Sequence, residues 1–200
     1  MFDTPLLIAG TWVVLGYLMG SVPFGILITR AMGLGDLRSI GSGNIGATNV
    51  LRTGNKAAAA ATLLLDGVKG ALAVLLAGWV TGDSGAMQIA GLAAFIGHCY
   101  PVWLRFRGGK GVATFLGVVL ALSWPVGLAC CAMWLLAALV TRISSVGALV
   151  GAASSMVWMF AFARWDLLLT GTILTALVFW RHRENLKRLK AGTEPRIGKK

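Results

Sequence analysis

Long apolar runs alternate with short polar segments along the whole chain. Seven runs predict membrane-spanning helices, at residues 5–29, 57–81, 87–104, 112–122, 126–140, 146–163 and 167–180. A spanning helix needs about 20 apolar residues, and fewer where the bilayer is thin or the helix is covered by protein. The pattern therefore predicts an all-α integral membrane protein with seven transmembrane helices, some of them short.

The run over residues 112–141 is ambiguous, because it holds some thirty residues without a charge. One long span would fit this length. However, Ser123, Trp124 and Pro125 lie in its middle, and a proline ends or kinks a helix. We therefore prefer two short spans with a break at this point.

The basic residues indicate how the spans are oriented. With seven spans and the N-terminus outside, the cytoplasmic segments are 30–56, 105–110, 141–145 and 181–200, which hold sixteen of the eighteen lysines and arginines. Six spans would move Arg142 and the last eight basic residues outside, against the positive-inside rule. We expect one polytopic membrane domain over residues 1–200, with a cytoplasmic C-terminus and a basic tail at 181–200.

Composition agrees with a membrane protein and limits the partners. The chain is 57% hydrophobic and 12% charged, whereas soluble domains carry about 25% charged residues. Orientation in the membrane accounts for most of the net charge of +11, so no nucleic-acid partner is expected. Cys99, Cys130 and Cys131 form no CxxC pair, which predicts neither a disulfide framework nor a zinc site. We expect no metal and no cofactor.

The first polar segment that could bind a ligand is GSGNIGATNVLR, residues 41–52. Its hydroxyl and amide side chains can hydrogen-bond a ligand, and the planar fork of Arg52 suits a phosphate. Glycine, serine and asparagine also mark ordinary turns. The segment alone fits a flexible loop equally well.

A second segment, RGGKG at residues 107–111, leads directly into an apolar run. Consecutive glycines before a helix can form an anion-binding nest, and Lys110 would add a full positive charge. The spacing is not that of a Walker A loop. The alternative is a basic cytoplasmic cluster with turn glycines.

Two further segments fall on the same predicted membrane face. TRISS at 141–145 offers hydroxyls at the end of a span, although serines there often cap a helix. His182 and Asn185 are three residues apart and share a face if the last helix continues. The alternative for the tail is a basic surface that touches anionic lipid.

Ionisable residues within the spans are costly and are expected to face the protein interior. Asp66 and Lys69 are three apart on one helix and can pair. Such a pair is compatible with a structural or a functional role. We interpret His98, which precedes Cys99, Tyr100 and Pro101, as a hydrogen-bonded loop histidine rather than a base.

Taken in order, GSGNIGATNVLR, GHCYPVWLRFRGGKGVAT, TRISS and RHRENLKRL resemble the successive motifs of the bacterial acyl-phosphate:glycerol-3-phosphate acyltransferases, the PlsY family. The resemblance implies a seven-helix enzyme of the bacterial inner membrane with its active site facing the cytoplasm. It would transfer a fatty acyl group from acyl phosphate to the 1-hydroxyl of sn-glycerol 3-phosphate. The products would be lysophosphatidic acid and phosphate, in phospholipid synthesis.

The resemblance also implies which residues form the site. The catalytic set would be Ser42, Arg52, Lys110, His182 and Asn185. Substrate and phosphate binding would involve Gly43, Asn44, Thr48, Asn49, Gly108, Gly109, Gly111, Ser144 and Ser145. Arg107 departs from the family pattern, which commonly has a lysine there. Partners would be the two small-molecule substrates and membrane lipid.

The residues favour catalysis by positioning and charge stabilisation, with a substrate phosphate oxygen as proton acceptor. Neither histidine has an aspartate five residues later, as the H-x-x-x-x-D pattern of other glycerophosphate acyltransferases requires. The competing class is a membrane carrier or channel for a phosphorylated solute. Transporters usually contain internal repeats, and the sequence has no convincing one.

Overall fold

The structure, a computed structural model, describes residues 3–198, and every regular element in that range is a helix. The α-helices are α1 Leu6–Gly20, α2 Phe24–Ala31, α3 Ala47–Val50, α4 Lys56–Thr81, α5 Ser84–Cys99, α6 Val112–Leu122, α7 Trp124–Thr141, α8 Ser144–Ala161, α9 Leu168–Arg181 and α10 Arg183–Lys190. This confirms the all-α fold class. Residues 1–2 and the last two lysines of the predicted basic tail lie outside the described residues.

Five helical segments in the described range are long and apolar enough to cross a membrane. They are Leu6–Ala31, which joins α1 to α2, and Lys56–Thr81, Ser84–Leu104, Trp124–Thr141 and Ser144–Ala161. Helices α6 and α9 have 11 and 14 residues, fewer than the usual span of about 20. A multi-pass arrangement is therefore supported, while the count of seven and the external N-terminus stay predictions.

The predicted break near Pro125 is confirmed. Helix α6 ends at Leu122, and α7 begins at Trp124 with the proline in its first turn. A proline is tolerated there because the first N–H groups of a helix have no intrahelical partner. A side chain added at Gly127 would overlap the backbone of Leu120. The two helices therefore fold back against each other directly after the break.

The predicted span over residues 5–29 corresponds to the segment Leu6–Ala31, within which residues 21–23 separate α1 from α2. The carbonyl of Ser21 accepts a hydrogen bond from Trp103 Nε1 at 2.7 Å. The carbonyl of Val22 accepts one from Lys69 Nζ, also at 2.7 Å. A break within a membrane is tolerated where other groups satisfy the freed backbone. Side chains from distant segments do so here.

Small residues let the helices pack closely. Gly16 and Gly20 of α1 lie against Ala90 and Ala94 of α5, and a Cβ at either glycine would overlap the alanine backbone. Such small-residue contacts are typical of helix pairs in membranes, where packing rather than a hydrophobic driving force holds helices together. The bundle then needs few large side chains between α1 and α5.

The buried charged pair follows the prediction. Lys69 Nζ lies 2.7 Å from Asp66 Oδ1, and both side chains face the interior. The expectation for His98 was wrong. It lies in the last turn of α5 rather than in a loop, it is buried, and its Nδ1 has no hydrogen-bond partner among the described residues.

Candidate active site

The side-chain amide of Asn49 holds the first polar segment together through hydrogen bonds. It lies on the short helix α3 and is buried. Its Nδ2 donates to the Leu37 carbonyl at 2.8 Å, while its Oδ1 accepts from Ser42 N and from Arg52 Nη1, each at 3.3 Å. The buried amide thus fixes the backbone at Ser42 and the guanidinium of Arg52 relative to each other.

The turn around this amide depends on glycine. Gly41 has φ of 53°, and an added Cβ would overlap the Arg52 guanidinium. Gly43 is also left-handed, at 66°. Asn44 Oδ1 accepts from Gly46 N at 3.0 Å, so this asparagine holds the turn. Ser42 and Thr48 are exposed to solvent and remain available to a ligand.

The glycines of the second segment do not form the predicted nest with their own amides. Gly108 N donates to the Cys99 carbonyl and Gly109 N to the His98 carbonyl, each at 3.1 Å. That part of the prediction was wrong, because the loop packs back onto the end of α5. The first amides of α6 have no intrahelical partner, because they precede the first helical hydrogen bond, from Phe115 N to the Gly111 carbonyl.

Arg181, at the end of α9, holds residues 107–111, which we call the glycine loop. Its Nη2 donates to the carbonyls of Gly108 at 3.3 Å and Gly109 at 2.9 Å, and its Nε donates to Gly109 at 3.1 Å. The guanidinium also stacks over the Tyr100 ring, 4.9 Å from its centre. These contacts fix the loop that carries Lys110.

Lys110 is the start of a hydrogen-bonded network that joins four segments. Its Nζ donates to Asn185 Oδ1 at 2.7 Å. Asn185 Nδ2 donates to Glu194 Oε1, which also accepts from Ser145 Oγ at 2.8 Å. Arg188 Nε donates to Glu194 Oε2 at 2.7 Å. Helices α8 and α10 and the tail therefore meet at one carboxylate, and Asn185 connects Lys110 to it.

The returning tail brings Glu194 into place. Gly192 is left-handed, with φ of 70°, just after α10. Farther on, Ile197 N donates to the Arg142 carbonyl at 2.7 Å, in the turn between α7 and α8. The chain thus runs back from α10 toward the start of α8, and Glu194 lies between these two anchors.

Burial and local charge set the protonation of this network. The pKa of Lys110 is lowered to about 8, chiefly by burial. Glu194 acts to raise this pKa, and the charges of Arg188, Arg181 and Arg52 act to lower it. Burial by itself raises the pKa of Glu194, but the hydrogen bonds that it accepts outweigh burial and leave the pKa below its ordinary value. Near neutral pH, Lys110 is charged and Glu194 is a carboxylate.

His182 lies between α9 and α10 and is buried. Its Nδ1 is 2.8 Å from the Val178 carbonyl, and because a carbonyl can only accept, Nδ1 carries the proton. Burial lowers the pKa of His182 to about 4, although the bond to Val178 acts in the opposite direction. The neutral ring therefore offers Nε2 as a hydrogen-bond acceptor.

The structure brings most of the expected residues to one end of the bundle. Lys110, Asn185 and Ser145 share one network, and His182 lies one turn before Asn185. Arg52 is near enough for its charge to lower the pKa of Lys110. Arg38 Nη2 also donates to the Arg107 carbonyl at 2.9 Å and joins the first segment to the glycine loop.

Other expected residues stay outside the network. Ser144, the first residue of α8, has no hydrogen bond to it in the part of the chain that the structure describes. Asn44 and Thr48 likewise stay within the first polar segment, Asn44 in its turn and Thr48 on α3. Sequence reasoning missed Arg181, Arg188 and Glu194. The sequence did carry a signal for Glu194, because it is an acidic residue beside Pro195 in a basic tail. A turn after the last helix can bring such a tail back to the bundle.

The fold and the spans together define an all-helical, multi-pass membrane protein. The sequence profile of the family described as "Glycerol-3-phosphate acyltransferase" matches residues 10–192. Curated relatives with that name include one from Ruegeria pomeroyi, 65% identical over 199 residues, which cover 100% of this chain and 98% of the relative. Another, from Roseobacter denitrificans, is 58% identical over 200 residues and all of both chains.

Solved structures give the same result. A crystal structure of PlsY, an integral membrane glycerol 3-phosphate acyltransferase, in its glycerol 3-phosphate form aligns with a TM-score of 0.89 and 41% identity, over 95% of this chain and 96% of that one. Its lysophosphatidic acid form aligns with a TM-score of 0.88 and 40% identity, over 95% of each chain. The chain belongs to the glycerol-3-phosphate acyltransferase family.

Proposed function

We propose that the protein transfers a fatty acyl group from acyl phosphate to the 1-hydroxyl of sn-glycerol 3-phosphate. The products are lysophosphatidic acid and inorganic phosphate, and the reaction serves phospholipid synthesis at the cytoplasmic face of a bacterial inner membrane. The observation that carries the proposal is the network around Lys110, where cationic and amide groups from separate loops meet. A neighbour of the same fold was crystallised in a glycerol 3-phosphate form.

Both substrates carry a phosphate, and the site has the cations to hold them. Lys110 supplies an ammonium, Arg52 a planar guanidinium, and the first turn of α6 its free amides. Ser42, next to Arg52, is exposed and can donate to the acyl carbonyl or to a phosphate. Asn185 and Ser145 hold the wall of the site through Glu194.

The reaction needs one proton transfer. The glycerol hydroxyl oxygen attacks the acyl carbonyl carbon, the bond from that carbon to the phosphate oxygen breaks, and the hydroxyl proton passes to a phosphate oxygen. Phosphate is a good leaving group, so positioning and charge stabilisation supply most of the catalysis. Lys110 and Arg52 offset the charge that collects on the departing phosphate.

In this scheme His182 orients the hydroxyl rather than removing its proton. A general base works best when its pKa is near the working pH, and the pKa of His182 is about 4. Its unprotonated Nε2 can still accept a hydrogen bond from the hydroxyl. The acyl chain lies along the apolar outer surface, where side chains such as Leu135, Leu139 and Val140 are exposed and face lipid.

The test is an assay with purified full-length protein in detergent, palmitoyl phosphate and glycerol 3-phosphate. We expect release of inorganic phosphate in equal amount to lysophosphatidic acid, and no release without glycerol 3-phosphate beyond spontaneous hydrolysis. A carrier or channel for a phosphorylated solute would give neither product without a compartment. An unchanged substrate mixture would therefore contradict the proposal and favour transport.

A further inference from the structure

A buried polar cluster lies beneath the glycine loop and outside the network of Lys110. Asp66 and Lys69 of α4 are paired at 2.7 Å, and His98 Nδ1 of α5 lies 3.7 Å from Asp66 Oδ1. These residues are 3%, 4% and 5% exposed. Ionisable groups within membrane spans are expensive and tend to be retained for a function. The reaction steps proposed above do not use them.

The cluster is connected to elements on both sides. Lys69 Nζ donates to the Val22 carbonyl at the break between α1 and α2. Thr114 Oγ1, in the first turn of α6, donates to the Asp66 carbonyl at 2.8 Å. Thr114 follows Lys110 by four residues. The backbone carbonyl of Asp66 therefore holds the start of α6, the helix that follows Lys110.

His98 contacts the glycine loop through both its backbone and its ring. Its carbonyl accepts from Gly109 N at 3.1 Å. A Cβ added at Gly109 would overlap the imidazole around Nε2. On the other side of the ring, Nδ1 faces Asp66 and lacks a hydrogen-bond partner among the described residues. A buried polar atom left unpaired is uncommon in native proteins and calls for an explanation.

A second buried polar pair on α5 provides a contrast. Thr170 Oγ1 donates to Gln88 Oε1 at 2.6 Å, and Gln88 Nε2 donates to Ser84 Oγ at 3.3 Å. The side chains of Thr170 and Gln88 are buried, but Gln88 lies ten residues before His98 on the helix, toward the other end of the bundle. This pair joins α5 to α9, and within residues 3–198 it makes no side-chain hydrogen bond to the glycine loop.

We propose that Asp66, Lys69 and His98 form a positioning cluster that fixes the glycine loop and the start of α6, and thereby sets Lys110 for phosphate binding. The Asp66 carboxylate and Lys69 hold the His98 ring against Gly109, while the backbone carbonyl of Asp66 accepts a hydrogen bond from Thr114. The inference rests on the proposed acyl transfer. It assigns the cluster no contact with substrate, so its effect on the reaction passes through the loop.

The first test compares Asp66→Asn and His98→Phe with Gln88→Leu and Thr170→Val, all as purified full-length protein. Because misplacing a reacting group by about 1 Å can cost up to about 100-fold, we expect the cluster variants to raise KM for glycerol 3-phosphate or acyl phosphate roughly tenfold. The two control variants should unfold at a lower temperature while kcat and KM stay within about twofold of wild type. Unchanged constants in the cluster variants, or equal changes in the controls, would overturn the inference.

A second test remains informative if the polar substitutions reduce the yield of folded protein. Gly109→Ala places a methyl group against the His98 ring, and His98→Ala removes that ring. Interacting residues give non-additive effects in a double-mutant cycle. We expect Gly109→Ala to raise KM roughly tenfold in the wild-type background and less than about twofold in the His98→Ala background. Equal effects in both backgrounds would show that the ring does not set the loop.

Binding of inorganic phosphate separates this inference from the proposed reaction. Phosphate that binds the folded protein raises its unfolding temperature, and this readout needs no acyl donor. We expect the rise for wild type and for Gln88→Leu, and its loss for His98→Phe. If wild type makes no lysophosphatidic acid but keeps the phosphate effect, the proposed function fails and the cluster survives. An active wild type whose phosphate effect persists in His98→Phe would overturn the cluster and leave the proposed function intact.

Discussion

The two ends of the helix bundle use charge in different ways. At the end that holds the α8–α9 turn, Arg164 forms two hydrogen bonds to Asp166, at 2.9 and 2.8 Å, and a third to the Leu122 carbonyl at 2.9 Å. These bonds keep the pKa of Asp166 below its ordinary value. The arginine is fully paired and joins two turns. It is a structural charge.

At the other end, several cations surround one carboxylate. Glu194 accepts from Arg188, Asn185 and Ser145, whereas Lys110 donates to the neutral amide of Asn185 and Arg181 donates to backbone carbonyls. Positive charge is therefore in excess at this end. Local pairing, rather than the number of basic residues, distinguishes the structural charge of Arg164 from the proposed anion site around Lys110.

The largest expected effect comes from removing one cation at each end. Lys110→Gln should lower kcat/KM by roughly 100- to 1000-fold, since a preorganised group that stabilises developing charge contributes about that much. Arg164→Gln should lower the unfolding temperature and leave kcat/KM within about twofold. Steady-state acyl transfer and thermal unfolding of both purified variants check this. Equal losses of activity would remove the distinction between the two ends.

The second-largest loss of activity is expected when the carboxylate of Glu194 is removed. Glu194→Gln leaves Arg188 without its ion-pair partner and weakens the hold on Asn185 and Ser145, so we expect kcat/KM to fall roughly 10- to 100-fold and stability to fall by about 1–3 kcal/mol. Glu184→Gln is the matched control, because its side chain is 57% exposed and pairs with exposed Lys187. Exposed pairs contribute about 0–1 kcal/mol. If both variants behave alike, Glu194 has no special role in the network.

The pH dependence of KM for glycerol 3-phosphate tests the role of Lys110. Its pKa of about 8 means that the side chain loses its charge as the pH rises through that value. We expect KM for glycerol 3-phosphate to rise above about pH 8, approaching tenfold per pH unit. Lys110→Arg stays charged at all these pH values, so its KM should be flat over the same range. A wild-type profile that is flat to about pH 9.5, more than one unit above that pKa, would contradict the assignment.

The smallest effect is expected at His182. His182→Ala should raise KM for glycerol 3-phosphate several-fold, about the loss of one hydrogen bond, and leave the maximal rate near normal at saturation. Because its pKa is about 4, the NMR signal of the ring should not titrate between about pH 5.5 and 8. Collapse of the maximal rate at every pH would instead make this histidine the base.

Sequence reasoning succeeded where the signal was local. The break before α7 follows from Pro125, and the pairing of Asp66 with Lys69 follows from their spacing. The break at Pro23 carried a similar local signal but was missed within an uncharged run. The backbone carbonyls at this break accept hydrogen bonds from Trp103 and Lys69, which are far away in sequence. Propensity alone cannot identify such partners.

The candidate site was less predictable than the fold. Each polar loop was ambiguous alone, because glycine, serine and arginine occur in any cytoplasmic turn, and the family resemblance selected the residues. The pairing of Lys110 with Asn185 spans 75 positions. Glu194 enters only because the tail returns to Arg142. The amides of Gly108 and Gly109 were misassigned, since no local rule predicts that a loop folds back onto the preceding helix.

Helix α6 has 11 residues, which at about 1.5 Å each span roughly 16 Å, about half the hydrocarbon thickness of a bilayer. Lys110 lies two residues before the start of this short helix, so in the proposed reaction the polar site is recessed toward the leaflet that holds the fatty donor. Such a donor can diffuse in sideways without leaving the lipid. We therefore expect the catalytic rate to depend on the mole fraction of donor in the bilayer or micelle, and dilution with inert detergent to slow turnover at constant bulk concentration.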